Sequence, residues 1–455
     1  MANELLTQAY DAITSRHYAY SDLQDRWQFL LESYMGGEMY RDGGHLTRYV
    51  LETAAEYDAR LQSTPLDNHC KSVISVYISF LFREPAFREL GSIGNNPQID
   101  SILDDSDLDG RSFDSFMKEA AIWASVFGHS WILVTQPSAE AQTAADQVAQ
   151  GIRPYLNLLT PLVVTDWQWT RLANGRYELS EFKYIEDVNG SVSTFRCWYP
   201  DYIETYVVDH ENKTVELTEV VPNELGRIPA VLVYNQRSQI RGIGISDIDD
   251  IADMQRSIYN ELSEIEQAER LGGHPSLVKT PDTQVGSGAG SIIEVPENLD
   301  PGLKPYMLTA DGTPINMMYE SIKNRVAAID KMANTGGVRA TETRTLSGVA
   351  MEVEFQLLNA RLSEKADNME LAEEQVWRLI AAYLGSEWNG YVEYPGSFNI
   401  RDTGREFQQL QTARAITQDT GLIAEIDRQL ADLMGVDPDE VLSAQTIMQD
   451  DTSNG

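Results

Sequence analysis

The spacing of apolar residues changes twice along this chain, from helical to alternating and back. Over residues 1 to about 135 the period is helical. Trp27, Leu30, Leu31 and Tyr34 precede a Gly36-Gly37 stop, a helix is predicted from about Asp67 to Phe82, and another from Phe113 to Phe127 places Phe116, Ala120, Trp123 and Phe127 on one face. Between them, Ser92 to Asp109 reads as a polar loop. From about Pro154 to Asn235 the period becomes two. Asn174-Gly175, Asn189-Gly190 and His210-Glu211-Asn212 separate runs rich in Val, Tyr, Trp and Thr at Arg176 to Ile185, Ser193 to Tyr199 and Ile203 to Val208. Short alternating runs between such turns predict an antiparallel meander, closed into a small barrel or packed as a sandwich.

Helix returns at Ser246, a good N-cap with Asp249 three residues on, a carboxylate version of the capping box. Ile251, Met254, Ile258, Leu262 and Ile265 form an apolar stripe that ends at Gly272-Gly273 and Pro275. At 1.5 Å per residue, about 25 residues span roughly 37 Å. After an insert containing Gly286-Ser287-Gly288-Ala289-Gly290, a second helix opens at Thr313-Pro314. It repeats the stripe through Ile315, Met318, Ile322, Val326, Ile329 and Met332. Matching stripes predict a side-by-side pair with the insert at one end. A loop from Asn334 to Ser347 follows, with two adjacent glycines and with Thr alternating with Arg339 and Arg344. One helical pattern then runs from Val349 to Leu384. That is longer than a usual helix, so a kink or packing against a neighbouring subunit is expected. Extended pieces at Tyr391 to Tyr394 and Phe398 to Ile400 precede helices at about Glu406 to Thr417 and Leu422 to Met434, and an acidic tail.

The 455 residues suffice for about three domains, and an apolar fraction of 42% is ordinary for a folded soluble protein. The net charge of −35 (35 basic against 70 acidic residues) repels polyanions at long range and argues against tight grip on nucleic acid, but not against nucleic acid sliding past. Cys70 and Cys197 imply neither a disulfide framework nor a zinc site. The start lacks the basic and apolar regions of a signal peptide, and the longest apolar run, Val73 to Phe82, is about half of a membrane span. An intracellular-type soluble chain is expected, and two glycosylation-like tripeptides at Asn189 and Asn212 read as turns.

Other chemistry is incomplete. Asp105-Ser106-Asp107-Leu108-Asp109-Gly110 imitates the start of an EF-hand loop, but the twelfth position is Phe116 where a bidentate Glu is needed. Gly128-His129-Ser130-Trp131-Ile132 lacks the second glycine of a nucleophile elbow and reads as a buried turn into a strand. Gly286 to Gly290 is neither a phosphate-binding nor a dinucleotide loop. The six histidines have no metal-ligand spacing. Trp167, Trp169 and Trp198 read as core of the β-rich part. No catalytic residue, cofactor or metal is expected.

This order of elements resembles the portal proteins of tailed bacteriophages, the head-to-tail connector ring. The resemblance is closest at Gly242-Ile243-Gly244-Ile245-Ser246-Asp247 and at Thr345-Leu346-Ser347-Gly348-Val349-Ala350. Tyr34 to Gly44 and Phe82-Arg83-Glu84-Pro85 also look like pieces of it. The resemblance implies an α+β, predominantly helical portal-type fold. Residues 1–240 would be the wing (helical over 1–135, β-rich over 154–236), 246–271 and 314–333 the stem helices, and 272–313 the clip. Residues 334–347 would be a tunnel loop, 348–385 a long wing helix, and 386–455 a crown with an acidic tail. It further implies a homo-oligomer of about twelve subunits at the capsid vertex of the virion, assembled in the host cytoplasm and not on a membrane. Its partners would be major capsid protein, terminase large subunit, head-to-tail adaptor, a scaffolding protein, and double-stranded DNA passing without sequence specificity.

On that resemblance Arg339, Thr341, Thr343, Arg344 and Thr345 would face DNA. Asp249, Asp253, Glu261, Glu264, Lys323 and Lys331 would be channel-lining stem residues. The stem would pack through Ile251, Met254, Ile258, Leu262, Ile265, Ile322, Val326 and Ile329. From Asp247 to Arg270 the first stem helix carries eight acids and two bases. Acids on the bore would repel phosphates and keep DNA mobile, with weak contacts near Lys331, Arg339 and Arg344. The bland alternative is a solvated helix face or inter-subunit ion pairs. Two other functions remain open from the residues: a different ring-forming virion adaptor, or an acidic hydrolase with an unidentified carboxylate pair.

Overall fold

The computed structural model describes residues 2–433 apart from 138–150, 274–275, 282–283, 286–292, 295–297, 299, 301–302, 309–312, 340–347, 397, 399–402 and 418–419. The chain divides into two compact units, Met1–Ser397 and Phe398–Gly455.

The first unit begins with helices α1 (Ala2–Thr14), α2 (Tyr18–Met35), α3 (Gly37–Asp42), α4 (Ala54–Ser63) and α5 (His69–Leu81). Local chemistry sets their ends. Thr53 and Glu56 close a reciprocal capping box on α4, and Asn68 accepts from the Lys71 N–H at the start of α5. The predicted polar loop over Ser92 to Asp109 instead holds helix α6 (Pro97–Asp104). Asn96 caps it, Pro97 occupies its first turn, and Ile99 and Ile102 bury its inner face. Helix α7 (Phe113–Phe127) has the predicted span and ends at Gly128 in the left-handed conformation.

Helical character stops before residue 135, because His129–Thr135 is strand β2, buried at every position. A short strand β1 (Phe87–Glu89) also interrupts the N-terminal helices. With β3 (Tyr155–Leu159) and β9 (Ala230–Tyr234), β2 forms a three-stranded antiparallel sheet in the order β3-β2-β9. The intervening strands β4 (Val164–Arg171), β5 (Tyr177–Asn189), β6 (Val192–Trp198), β7 (Tyr202–Asp209) and β8 (Thr214–Pro222) form the predicted meander in sequential order. The meander is not a barrel. Among the described residues, β4 pairs only with β5 and β8 only with β7. β8 is exposed at most positions, so it is not buried as a strand of a closed barrel would be. The two sheets meet where the Trp131 ring approaches Trp167, Trp169 and Phe182 at 6.2, 6.4 and 5.0 Å.

The helical return is α8 (Asp249–Gly273) and α9 (Thr313–Ala333). Between them lie two small antiparallel ribbons, β10 (Ser276–Val278) with β13 (Tyr306–Leu308), and inside it β11 (Gln284–Val285) with β12 (Ile293–Glu294). The Gly286 to Gly290 turn lies outside the described residues. After a four-residue helix α10 (Gly336–Arg339), α11 (Gly348–Tyr383) runs for 36 residues. Its buried face includes Leu358, Leu362, Met369, Val376, Trp377 and Ile380, and it packs on α5, β2 and β9. Near its start Val353 and Leu357 are about half exposed. Strand β14 (Tyr391–Glu393) returns to pair with β1. There the fully buried Glu373 carboxylate holds Arg88 and accepts from the Tyr394 hydroxyl at 2.7 Å.

In the second unit, α12 (Thr403–Ile416) packs on α13 (Thr420–Leu433), and Arg414 pairs with Asp427 at 2.6 Å. No helix among the described residues is long and apolar enough to cross a membrane.

Candidate functional site: the paired helices and the base of the loop

α8 and α9 form an antiparallel pair. Glu261 on α8 accepts from Ser321 at 3.0 Å and from the Arg325 guanidinium at 2.8 Å, and Glu269 accepts from the Tyr319 hydroxyl at 2.9 Å. Of the stripe residues, Ile251, Ile258, Ile265 and Ile329 are buried, whereas Met254, Leu262, Ile322 and Val326 are half-buried.

The other side of α8 is sewn to the N-terminal helices. Arg26 reaches Asp249 at 2.7 Å and Asp253 at 2.9 Å. The fully buried Gln255 amide accepts from the Cys70 N–H at 2.9 Å and donates to the Ser33 carbonyl at 3.0 Å. Arg60 donates to Ser263 at 3.0 Å, and the Tyr49 hydroxyl donates to Glu264 at 2.6 Å. Burial and that carboxylate push the Tyr49 hydroxyl up to about 12. Asp249, Asp253, Glu261 and Glu264 are therefore engaged inside the subunit. Glu264, Lys323 and Lys331 lie on exposed positions.

The capping expectation at Ser246 needs correction. Asp249 is held by Arg26, and the Ser246 hydroxyl donates to the Val126 carbonyl at 2.6 Å while accepting from the Ile248 N–H at 3.1 Å. Ser246 thus ties the C-terminal turn of α7 to the approach of α8. The preceding glycines have a packing reason. A Cβ on Gly244 would come 1.8 Å from the Gly128 carbonyl oxygen, and Gly242 has a positive φ beside the Trp167 indole.

Asp247 anchors a buried polar hub. Its carboxylate meets Lys365 at 2.5 Å and Arg361 at 3.0 Å, both from α11, and Lys365 also donates to Asn235 after β9 and to Ser125 of α7. Burial opposes the Asp247 charge, but Lys365 and Arg361 outweigh it and hold the carboxyl below the usual range. Arg361 further donates to the Met332 carbonyl at 3.2 Å, and the Tyr77 hydroxyl to that of Ala333. These two donors satisfy the last two carbonyls of α9 where the loop departs.

Arg339 is turned into the protein at that point. Its guanidinium reaches Asp330 at 2.8 Å, Ser72 at 3.0 Å and His69 at 2.9 Å. It fastens the base of the loop. Thr341, Thr343, Arg344 and Thr345 lie outside the described residues. The EF-hand-like segment is also internally satisfied: Asp105 pairs with Arg153 at 2.8 Å and Asp107 with Arg111 at 2.9 Å. Ser130 donates to the Ala120 carbonyl at 3.0 Å, which occupies the hydroxyl of the elbow-like turn.

Sequence reasoning missed Arg26, Gln255, Arg361 and Lys365. A signal existed for two of them. Gln255 falls on the stripe between Ile251 and Ile258, and Lys365 falls between Leu362 and Met369 on the apolar face of α11. A polar residue at a core-facing position needs a specific partner.

A model of the family described as "Phage portal protein, SPP1 Gp6-like" matches residues 91–451. None of the curated proteins compared matches the chain. Among solved structures, it is similar to a chain from the neck of an empty GTA particle computed with C6 symmetry, at 11% identity and a TM-score of 0.48 over 89% of this chain and 100% of that one. It is also similar to one from the neck of a native GTA particle computed with C12 symmetry, at 11% identity and a TM-score of 0.44 over 90% and 99% of the two chains. A third, from the virion of a native gene transfer agent particle, has 10% identity and a TM-score of 0.44 over 90% and 99%.

Proposed function

Because this chain belongs to the SPP1 Gp6-like family of phage portal proteins, we propose that it is one subunit of a closed ring at a capsid vertex. Double-stranded DNA passes through that ring during packaging and ejection. The observation that carries this reading is the family match over residues 91–451, which takes in both paired helices, the loop and the long helix. That match favours a portal over a different ring-forming adaptor or an acidic hydrolase.

Each part takes a mechanical role in this reading. The antiparallel pair of α8 and α9 is a rigid post, cross-linked by Glu261, Ser321 and Arg325 and bound along one side to the N-terminal helices. The ribbon insert at its tip is the docking surface for terminase and, later, for the head-to-tail adaptor. Residues 340–347 are the segment that meets DNA, carried on a base clamped by Arg339, Arg361 and Tyr77. The exposed positions Lys323 and Lys331 are the channel-facing subset of the stem charges, Glu264 being held by Tyr49. Ring neighbours cover the apolar side chains left on the outside of the subunit, among them Val50 and Leu51 (99% and 93% exposed) and Met317 (70%).

Electron microscopy of the purified protein tests the ring. Closed particles of about twelve copies with a central hole are expected. A protein that stays monomeric at all concentrations overturns the reading.

A further inference from the structure

A cavity of about 340 Å³ opens between the β4–β5 hairpin, β9 with its flanking loops, and α11. Arg227, Arg237, Arg241 and Arg378 line it, with Glu178 as the acid among its lining residues. This inverts the balance of a chain with two acids for every base. Arg378 pairs with Glu374 at 2.7 Å. Among the described residues, no carboxylate lies within ion-pair distance of Arg227, Arg237 or Arg241, and all three are exposed.

Aromatic rings hold two of these guanidinium groups in place. Arg241 lies over Tyr177 at 4.0 Å and over Trp169 at 5.7 Å, and Arg237 lies over Tyr234 at 5.3 Å. A guanidinium held by a ring face keeps its N–H fork available for an oxyanion, whereas one held by a carboxylate does not. Trp169 adds a buried indole N–H with no acceptor among the described residues. Three guanidinium groups without carboxylate partners on one cavity call for an acceptor-rich anion.

We propose that this pocket binds phosphoryl groups, the guanidinium forks taking the phosphate oxygens and the Trp169, Tyr177 and Tyr234 rings providing apolar faces beside them. Arginine suits phosphate through planar, bidentate donation. Two sources share that chemistry, a free small phosphate and a nucleic-acid backbone. The residues that line the pocket do not include the segment 340–347, and the pocket's ligand chemistry does not depend on the ring reading.

The test is a titration of the full-length protein with pyrophosphate by calorimetry, and with a labelled thymidine dodecanucleotide by fluorescence anisotropy at several salt concentrations. Arg237→Gln/Arg241→Gln should weaken both by roughly tenfold or more. It should also lower the salt slope for the oligonucleotide by about 1.4, since each of the two single-strand phosphate contacts removed contributes about 0.7. Arg227→Gln serves as an independent second variant, and Lys71→Gln/Lys118→Gln, exposed and outside the pocket, as the charge-matched control. Pyrophosphate binding alone, lost in the pocket variants, supports the site with a small phosphate as its ligand. Tighter oligonucleotide binding, lost in the same variants, supports the nucleic-acid source. Equal binding by parent and correctly folded variants, or no binding of either probe, overturns the proposal. So does binding of an acidic peptide such as residues 436–451 in place of both phosphate probes.

Discussion

Lys365 Nζ lies 2.5 Å from Asp247 Oδ2 with both side chains almost fully buried, joining the middle of the long helix to the residue two before α8. An isolated buried charge is costly, so removing one partner is expected to cost more than the pair contributes. Asp247→Asn should destabilise the protein by about 3–5 kcal/mol, whereas Asp247→Leu/Lys365→Met should recover much of that loss. Denaturant midpoints measure both. The folded Asp247 pKa is depressed, so its contribution is complete above the ordinary carboxylate range and disappears as pH falls through the folded value. An Asp247→Asn protein as stable as the parent would show that the hub does not hold the two helices together.

His129 predicts a second pH effect. Burial lowers its pKa to about 3, and the Nδ1 atom accepts from the Gly244 N–H at 3.3 Å. The unfolded chain binds a proton near 6.5 that the folded chain refuses, so stability falls as pH drops from about 6.5 toward 3. The loss is on the order of 1 kcal/mol per pH unit within that window. His17 and His45, also lowered by burial, act in the same direction. A His129→Gln variant should show a shallower pH dependence in urea melts. An unchanged slope would mean that His129 does not titrate differently in the two states.

Arg339 and the residues after it should separate by phenotype. Arg339→Ala removes the partner of Asp330, Ser72 and His69, so it should lower thermal stability. Deleting residues 341–345 should leave ring assembly intact and impair DNA packaging or retention. Particle imaging and a packaging assay read the two outcomes. Normal packaging by the deletion variant would remove the loop from the DNA path.

Within α8, burial predicts an order. Ile258→Ala, at a buried position, should cost about 2–5 kcal/mol, and Leu262→Ala, at a half-buried one, less. The same denaturation series measures both. A larger loss at Leu262 would mean that its exposed side is covered in the assembled ring.

Much of the fold was legible because helices and hairpins are written locally. Phe113–Phe127 has the predicted bounds, and Gly348–Tyr383 differs from its predicted span by one residue at each end. The meander followed from its Asn-Gly turns. α6 was hidden because its polar surface residues outnumber Ile99 and Ile102, although Asn96-Pro97 marked its start. Barrel closure was undecidable from alternation, since every strand of an open sheet alternates as well. The DNA-facing expectation for Arg339 rested on its place in a Thr/Arg loop, and position says nothing about where a guanidinium folds back.

The sequence by itself determined the long helices and the meander, which of their faces are apolar, and that α8 and α9 match. Those properties depend on period, caps and turns spanning a few residues. Only the tertiary structure decided which charges are occupied. Arg26 finds Asp249 across 223 positions and Lys365 finds Asp247 across 118. An acid drawn to a distant guanidinium looks the same in sequence as one left for solvent. Partner choice among 70 carboxylates is set by packing, because only packing fixes which few come within hydrogen-bond reach.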